Sequence, residues 1–182
     1  MSDLNGALIG FLGVMAGGYF NNFLAEDYRR FRDGQALAGA LAGELESHGD
    51  AFPMLKAGLE AMMPLAISEQ GLTLSEWPIP ASPLFEQNAA KIGLLGADVA
   101  RDVAYVYEHI RAFRINFHML SKSHREMPKE RNHAMIVGCL AIITRAETRG
   151  RPLLDTLKKQ ATGNYWQRLA GNMKKIAGTP PA

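Results

Sequence analysis

The chain of 182 residues contains a single cysteine, Cys139. One cysteine excludes an intramolecular disulfide framework and a cysteine-rich zinc site, and it fits a reducing compartment. Neither sign of charge is in large excess, because 20 Lys+Arg oppose 18 Asp+Glu for a formal net charge of +2. This balance argues against a dedicated nucleic-acid-binding protein. With 47% hydrophobic residues, the chain has enough apolar surface to form one globular domain.

The sequence also lacks the motifs of common enzyme classes. No G-x-S-x-G motif, Walker loop or dinucleotide-binding fingerprint is present. Cys139 lies among apolar residues, which predicts a buried and inert thiol. We therefore predict no catalytic residue, no cofactor and no enzymatic activity, and the sequence identifies no small-molecule substrate.

Two glutamate–histidine spacings have the ligand types of a metal site in a helical bundle. Glu130 and His133 form an E-x-x-H pattern, and Glu44 and His48 lie one helical turn apart. A ferritin-like centre needs E-x-x-H on two helices together with further glutamates, and only one copy is present. A lone histidine on a helix seam is more often packed and hydrogen-bonded than a ligand. We therefore predict no metal site.

No alternating pattern of β-strands competes with the helical periodicity, so the predicted fold class is all-α. We expect an N-terminal transmembrane helix followed by an antiparallel helical bundle with a coiled-coil-like seam. Apolar residues at steps of three and four define that seam: Val99, Val103, Val106, Ile110, Phe113, Phe117 and Leu120. An earlier helical region has a similar spacing: Ala38, Leu41, Leu45, His48, Phe52, Leu55, Leu59 and Met62.

Prolines and glycines predict where these helices end. The Gly49-Asp50 pair and Pro53 predict a break between two helices. Gly150 and Pro152 predict the end of the helix that begins at Lys129. A linker rich in proline and glycine is expected over residues 67–82.

The amino-terminal segment from Leu4 to Ala25 has no Asp, Glu, Lys or Arg over 22 residues. A helix of that length rises roughly 33 Å, enough to cross a hydrocarbon core of about 30 Å. Arg29, Arg30 and Arg32 follow it, so the positive-inside rule predicts an outer amino terminus and a cytoplasmic bulk. The strongly apolar part covers only residues 6–20, which leaves a buried core helix or an interfacial helix as alternatives.

Small residues form a stripe along this segment. Gly6, Gly10, Gly13 and Gly17 recur at steps of four and three, and Asn21 continues the same helical face. Two such helices can approach closely, as small-xxx-small transmembrane pairs do. The stripe therefore predicts a helix–helix contact in the membrane and a homo-oligomer or another protein partner.

The carboxyl-terminal region is basic and amphipathic. Its cations and leading aromatic residue are typical of contact with a membrane surface or an acidic partner: Lys158, Lys159, Trp166, Arg168, Lys174 and Lys175. A terminal helix packed on the bundle is the alternative, and nucleic acid is an unlikely partner because no recognised motif is present. Residues 1–91 carry 5 basic and 11 acidic side chains, whereas residues 92–182 carry 15 and 7. We expect an acidic first half against a basic second half, with the terminal lysines unmatched.

The segment Ser82-Pro83-Leu84-Phe85-Glu86-Gln87-Asn88, leading to Lys91-Ile92-Gly93-Leu94-Leu95, predicts a helix that Ser82 caps and Gly93 stops. Together with the apolar amino terminus, it resembles small bacterial single-pass membrane proteins that carry an S-P-x-aromatic-x-x-N…(I/L)-G-L-L stretch before a long helix. The resemblance covers the first helix and residues 82–120. It implies a membrane-anchored helical domain and brings no activity or functional residues with it.

The predicted organisation is a transmembrane helix over residues 1–27, juxtamembrane helices over 28–66, the linker, a helical bundle over 83–162 and a basic helix and tail over 163–182. The predicted function is that of an inner-membrane protein whose cytoplasmic helices act through protein–protein interaction, as a scaffold, adaptor or complex subunit. The alternative is a soluble or peripheral bundle that binds lipid headgroups or nucleic acid through its basic carboxyl-terminal helix.

Overall fold

The computed structural model describes the backbone of residues 2–177 and the side chains of residues 14, 15, 17–19, 21–171 and 173. This part of the chain is helical without strands, which confirms the all-α prediction. The helices are α1 (Ser2–Ile67), α2 (Pro83–Asn88), α3 (Ala97–Ser123), α4 (Lys129–Ala161) and α5 (Tyr165–Ala177). A 3-10 helix, Ala89–Leu95, joins α2 to α3.

The predicted break at Pro53 is wrong, because α1 continues through Pro53 and Pro64 as one helix of 66 residues. A proline inside a helix removes one backbone hydrogen bond and costs about 3 kcal/mol. The neighbouring Phe52 and Leu59 are buried in the core, and burying a large apolar side chain contributes roughly 1.5–3 kcal/mol. Core packing along α1 therefore outweighs the local penalty of its prolines.

The predicted helix end at Gly150 and Pro152 is also wrong, since α4 continues to Ala161. Gly150 is buried at the crossing of three helices. A Cβ atom built on it would lie 3.6 Å from Val106 Cγ1 and 3.9 Å from Leu45 Cδ1. The small residue thus lets α1 and α3 pack closely on α4.

Helix α4 packs antiparallel to both α3 and α1. The first pair forms a hairpin through the turn at residues 124–128. In the second pair, Glu46 contacts Lys158, and Lys56 farther along α1 contacts the earlier Glu147 of α4. The seam of α3 faces this core: Val103, Val106, Ile110, Phe113 and Leu120 are buried. The sequence correctly predicted an antiparallel bundle built on that seam.

Residues 68–82 form a non-helical strap that runs beside α3. Backbone N–H groups of the strap donate hydrogen bonds, from Leu74 to His124 Nε2 (3.3 Å) and from Trp77 to Ser121 Oγ (3.0 Å). His118 Nδ1 lies 2.6 Å from the Trp77 carbonyl oxygen. The strap is therefore held to the end of α3 and covers one side of the space between α1 and α3.

Across the described part of the chain, no helix combines the length and apolarity that crossing a bilayer requires. The predicted span, Leu4–Ala25, lies partly beyond the described side chains, which begin at residue 14.

Candidate functional site

A cluster of buried polar side chains lies where α1, α2 and α3 meet. Glu44 of α1 is buried, and each of its carboxylate oxygens accepts a hydrogen bond of 3.0 Å from a backbone N–H of α2, one from Leu84 and one from Phe85. Ser82 occupies the N-cap position, but its side chain makes no capping hydrogen bond. The prediction of Ser82 as the cap is therefore wrong, because Glu44 from a neighbouring helix supplies the acceptor atoms.

The Ser82 hydroxyl instead contacts two side chains across the cluster. Arg114 Nη1 donates to Ser82 Oγ at 2.7 Å, and the hydroxyl lies 3.3 Å from His48 Nε2. Arg114 Nη2 lies 3.4 Å from the same histidine nitrogen. A neutral His48 that accepts through Nε2 fits both contacts.

Burial and charge shift the pKa values of this cluster. Burial and the nearby Arg114 charge lower the pKa of His48, against a smaller opposing effect of Glu44. Burial lowers the pKa of Arg114, and burial together with Glu44 raises the pKa of Tyr107. The Tyr107 hydroxyl is buried without a hydrogen-bond partner among the described residues. The cluster thus holds a neutral histidine beside a guanidinium whose charge is partly desolvated.

An apolar cavity of about 540 Å³ opens beside this cluster, between α1, α3 and the strap. Its deep side is buried and its rim is exposed, with Trp77 at 55% and Met54 at 72% exposure. His48 and Arg114 lie on its wall among apolar side chains that include Phe52, Leu59, Met62, Phe113 and Phe117. The cavity therefore joins a large apolar volume to a basic group.

The predicted contact residues of the amino terminus are only partly described. Gly6, Gly10 and Gly13 lie outside the described side chains. Gly17 and Asn21 are exposed, and a Cβ atom on Gly17 would meet nothing within 4 Å. No second helix in the described part of this chain covers that face of α1.

Of the predicted contact residues in the carboxyl-terminal region, some form ion pairs with α1 and others are exposed. Lys158 pairs with Glu46, so the prediction that the terminal lysines are unmatched is wrong for Lys158. Arg168 Nη2 pairs with Asp27 Oδ1 at 2.9 Å. Lys159 and Trp166 are exposed, Trp166 to 69%. The side chains of Lys174 and Lys175 lie outside the described set. Acidic positions of α1 are the physical reason for the two pairings.

Helix α5 meets α1 directly behind the uncharged segment. The Tyr165 hydroxyl donates to Asp27 Oδ2 at 3.0 Å, and its ring contacts Tyr28 and Phe31 at centroid distances of 5.2 and 5.4 Å. Arg168 adds its ion pair and lies over the Phe31 ring at 5.3 Å. These contacts fix the start of α5 to one position on α1.

The two glutamate–histidine patterns do not converge with further ligands. Among the described residues, no group of three or more His, Cys, Asp or Glu is placed to hold a metal ion. Both oxygens of Glu44 are occupied by backbone donors, and Glu130 is exposed at the start of α4.

The sequence predicted a packed, hydrogen-bonded His48 in preference to a metal ligand, and it did not identify Arg114 as a neighbour of His48 and Glu44. The structure brings them together with Ser82, which lies 32 residues before Arg114 in the chain. One feature of the sequence could have indicated this contact: Arg114 directly follows Phe113 and lies four residues after Ile110, both of which belong to the seam. A charge so close to a buried seam predicts a polar partner on a neighbouring helix.

No family model, curated protein or solved structure matches this chain.

Proposed function

We propose that the amino-terminal part of α1 anchors this protein to a membrane, with its bundle on the cytoplasmic side, where it acts through contact with other proteins. The observation that supports this most is the attachment of α5 to Asp27. Asp27 follows the uncharged segment after a single residue. The attachment places a basic amphipathic helix beside the end of the uncharged segment, and both kinds of segment are typical of proteins that contact membranes.

The exposed side chains at this end support the proposal. Val14, Tyr19 and Phe23 of α1 are exposed to 75%, 78% and 62%, and Trp166 and Met173 of α5 to 69% and 64%. These exposed apolar side chains lie on the two helices that meet at Asp27, and contact with an apolar phase would remove them from water. Aromatic rings settle at the headgroup level of a bilayer, next to cations. Arg29 and Arg30 are largely exposed beside the end of the uncharged segment, where both also pair with the single carboxylate of Glu26, so the three side chains keep a net positive charge.

The alternative, a peripheral bundle that binds lipid headgroups or nucleic acid through its basic helix, has less support. Lys158 and Arg168 are already paired with acidic residues of α1, which reduces the positive charge that remains for a polyanion. Two large apolar side chains of α5, Trp166 and Met173, are exposed. Contact with the apolar interior of a membrane would bury them, whereas contact with the phosphate groups of a polyanion would not.

The proposal includes self-association through the glycine stripe, because Gly17 and Asn21 are exposed on the helix that carries the stripe. Close approach of two α1 helices needs residues without bulky side chains. The measurement is the oligomeric state of the detergent-extracted protein with Gly17→Leu. An unchanged oligomeric state removes the stripe from the proposal.

The anchor is tested by membrane fractionation of Val14→Lys, because Val14 lies at the middle of the uncharged segment. A lysine at the centre of a membrane helix costs about 2.5–3.5 kcal/mol. We expect the wild type to resist alkaline carbonate and Val14→Lys to lose at least about tenfold in membrane retention. Val137→Lys is the matched control, because Val137 is an exposed valine of α4.

Two results of this experiment would overturn the anchor. Wild-type protein in the soluble fraction after lysis without detergent would remove it altogether. Release by high salt alone would replace it with the peripheral alternative. For α5, Trp166 in a Trp77→Phe background should be quenched by brominated lipid, and an unquenched Trp166 would remove α5 from the membrane surface.

A further inference from the structure

We propose that the cavity between α1, α3 and the strap binds a free fatty acid, with its alkyl chain inside the cavity and its carboxylate at Arg114. This inference is independent of the membrane anchor. The volume of about 540 Å³ lies within the range of roughly 300–1,000 Å³ typical of small-molecule sites. Such sites combine apolar walls with a few convergent polar groups, which is the composition seen here.

The polar end of the cavity favours an anion. Arg114 is half-buried, and its side-chain hydrogen bonds within the described residues go to Ser82 and His48 and not to a carboxylate. Its hydrogen bonds to Ser82 and His48 use part of the guanidinium, and the further N–H groups have no partner among the described residues. Guanidinium groups bind carboxylates through paired hydrogen bonds.

The surroundings of Arg114 favour a single negative charge over a double one. Glu86 Oε1 accepts a hydrogen bond of 3.2 Å from the Ser82 backbone N–H, and Glu44 accepts from Leu84, so two carboxylates lie around the start of α2, where Arg114 contacts Ser82 Oγ. A phosphate headgroup with two charges would meet stronger repulsion from these carboxylates than a carboxylate would. A fatty acid therefore fits the site better than an alkyl phosphate.

The apolar part of the cavity is closed on its inner side and open to solvent on its outer side. Phe52, Leu59 and Phe113 are buried below it, and Trp77 and Met54 at the rim are exposed. The Trp77 ring lies against Phe117 at a centroid distance of 6.3 Å, so the strap forms one wall. An alkyl chain bound there would contact aromatic and aliphatic side chains and leave water, which favours binding.

Gly58 provides a substitution that fills the cavity without removing any contact. It lines the cavity, and a Cβ atom built on it would meet nothing within 4 Å. Leucine also favours a helix more than glycine does, so Gly58→Leu should fold. Gly43→Leu is the matched control, because Gly43 lies in the same helix, is exposed and has equally open space.

Laurate binding should be measured by the fluorescence of Trp77 in full-length Trp166→Phe protein, held in an amphipathic polymer because detergent is itself an amphiphile. We expect saturable binding to this protein and to Gly43→Leu, and its loss in Gly58→Leu. No binding of laurate, or equal binding by both leucine variants, would overturn the site.

The headgroup assignment is tested by Arg114→Gln with laurate, dodecanol and dodecyl phosphate. We expect at least about tenfold weaker laurate binding and unchanged dodecanol binding, because only the carboxylate uses the guanidinium charge. Laurate should also bind more tightly than dodecyl phosphate to the unsubstituted site. Equal loss of laurate and dodecanol, or a preference for the phosphate, would overturn the fatty-acid assignment.

Discussion

At the scale of single residues, the contacts of His48 favour its neutral form. Arg114 and Ser82 both approach His48 Nε2, and burial and the Arg114 charge lower the pKa of His48 in the folded protein. In the unfolded chain this pKa returns to about 6.5. As the pH falls below that value, the unfolded chain binds a proton that the folded protein does not, so stability falls with pH.

We therefore expect His48→Gln to lose less stability than the wild type between about pH 7.5 and about pH 5.5. The measurement is the free energy of unfolding by urea at both pH values. His133→Gln, at a partly exposed histidine of α4 outside the cluster, should keep the wild-type dependence. A steeper loss of stability in His48→Gln would show that the folded protein tolerates a charged His48.

At the scale of elements, α1 and α4 show how far local signals predict helix boundaries. The seam of α3 was readable because a buried helix face requires apolar residues at three- and four-residue steps. The prolines and glycines led to wrong helix ends because their cost to helix stability is local. The burial that offsets this cost comes from residues distant in the chain, such as Val106 and Leu45 around Gly150. The polar cluster could not be predicted from the sequence for a similar reason, since Glu44 caps a helix that begins 40 residues later in the chain.

Pro53 allows that explanation to be tested. Alanine at this position restores the N–H that would donate to the Gly49 carbonyl, and we expect Pro53→Ala to raise the free energy of unfolding by about 1–3 kcal/mol. Urea unfolding measures this value. Pro83→Ala is the control, because a proline at the start of α2 loses no hydrogen bond and its replacement should give no gain. A less stable Pro53→Ala would show that the packing of Phe52 requires proline in α1.

At the scale of the whole molecule, the two proposed sites lie at different levels of one long helix. Val14 and Gly58 both belong to α1, and 44 residues of helix between them correspond to roughly 66 Å. The contacts of α5 at Asp27 and the wall of the cavity share no side chain. Substitutions at well-separated sites without shared partners act additively.

The double variant Val14→Lys/Gly58→Leu should therefore show the loss of membrane retention and the loss of laurate binding seen in the single variants, with no additional change in either property. We expect its membrane retention to equal that of Val14→Lys and its lack of laurate binding to equal that of Gly58→Leu. Each single variant should keep the other property within about twofold of the wild type, because sites this far apart couple by less than about 0.5 kcal/mol. Fractionation and Trp77 fluorescence in the Trp166→Phe background measure the two properties. A laurate affinity that changes in Val14→Lys would instead make α1 a rigid connection through which membrane attachment alters the cavity.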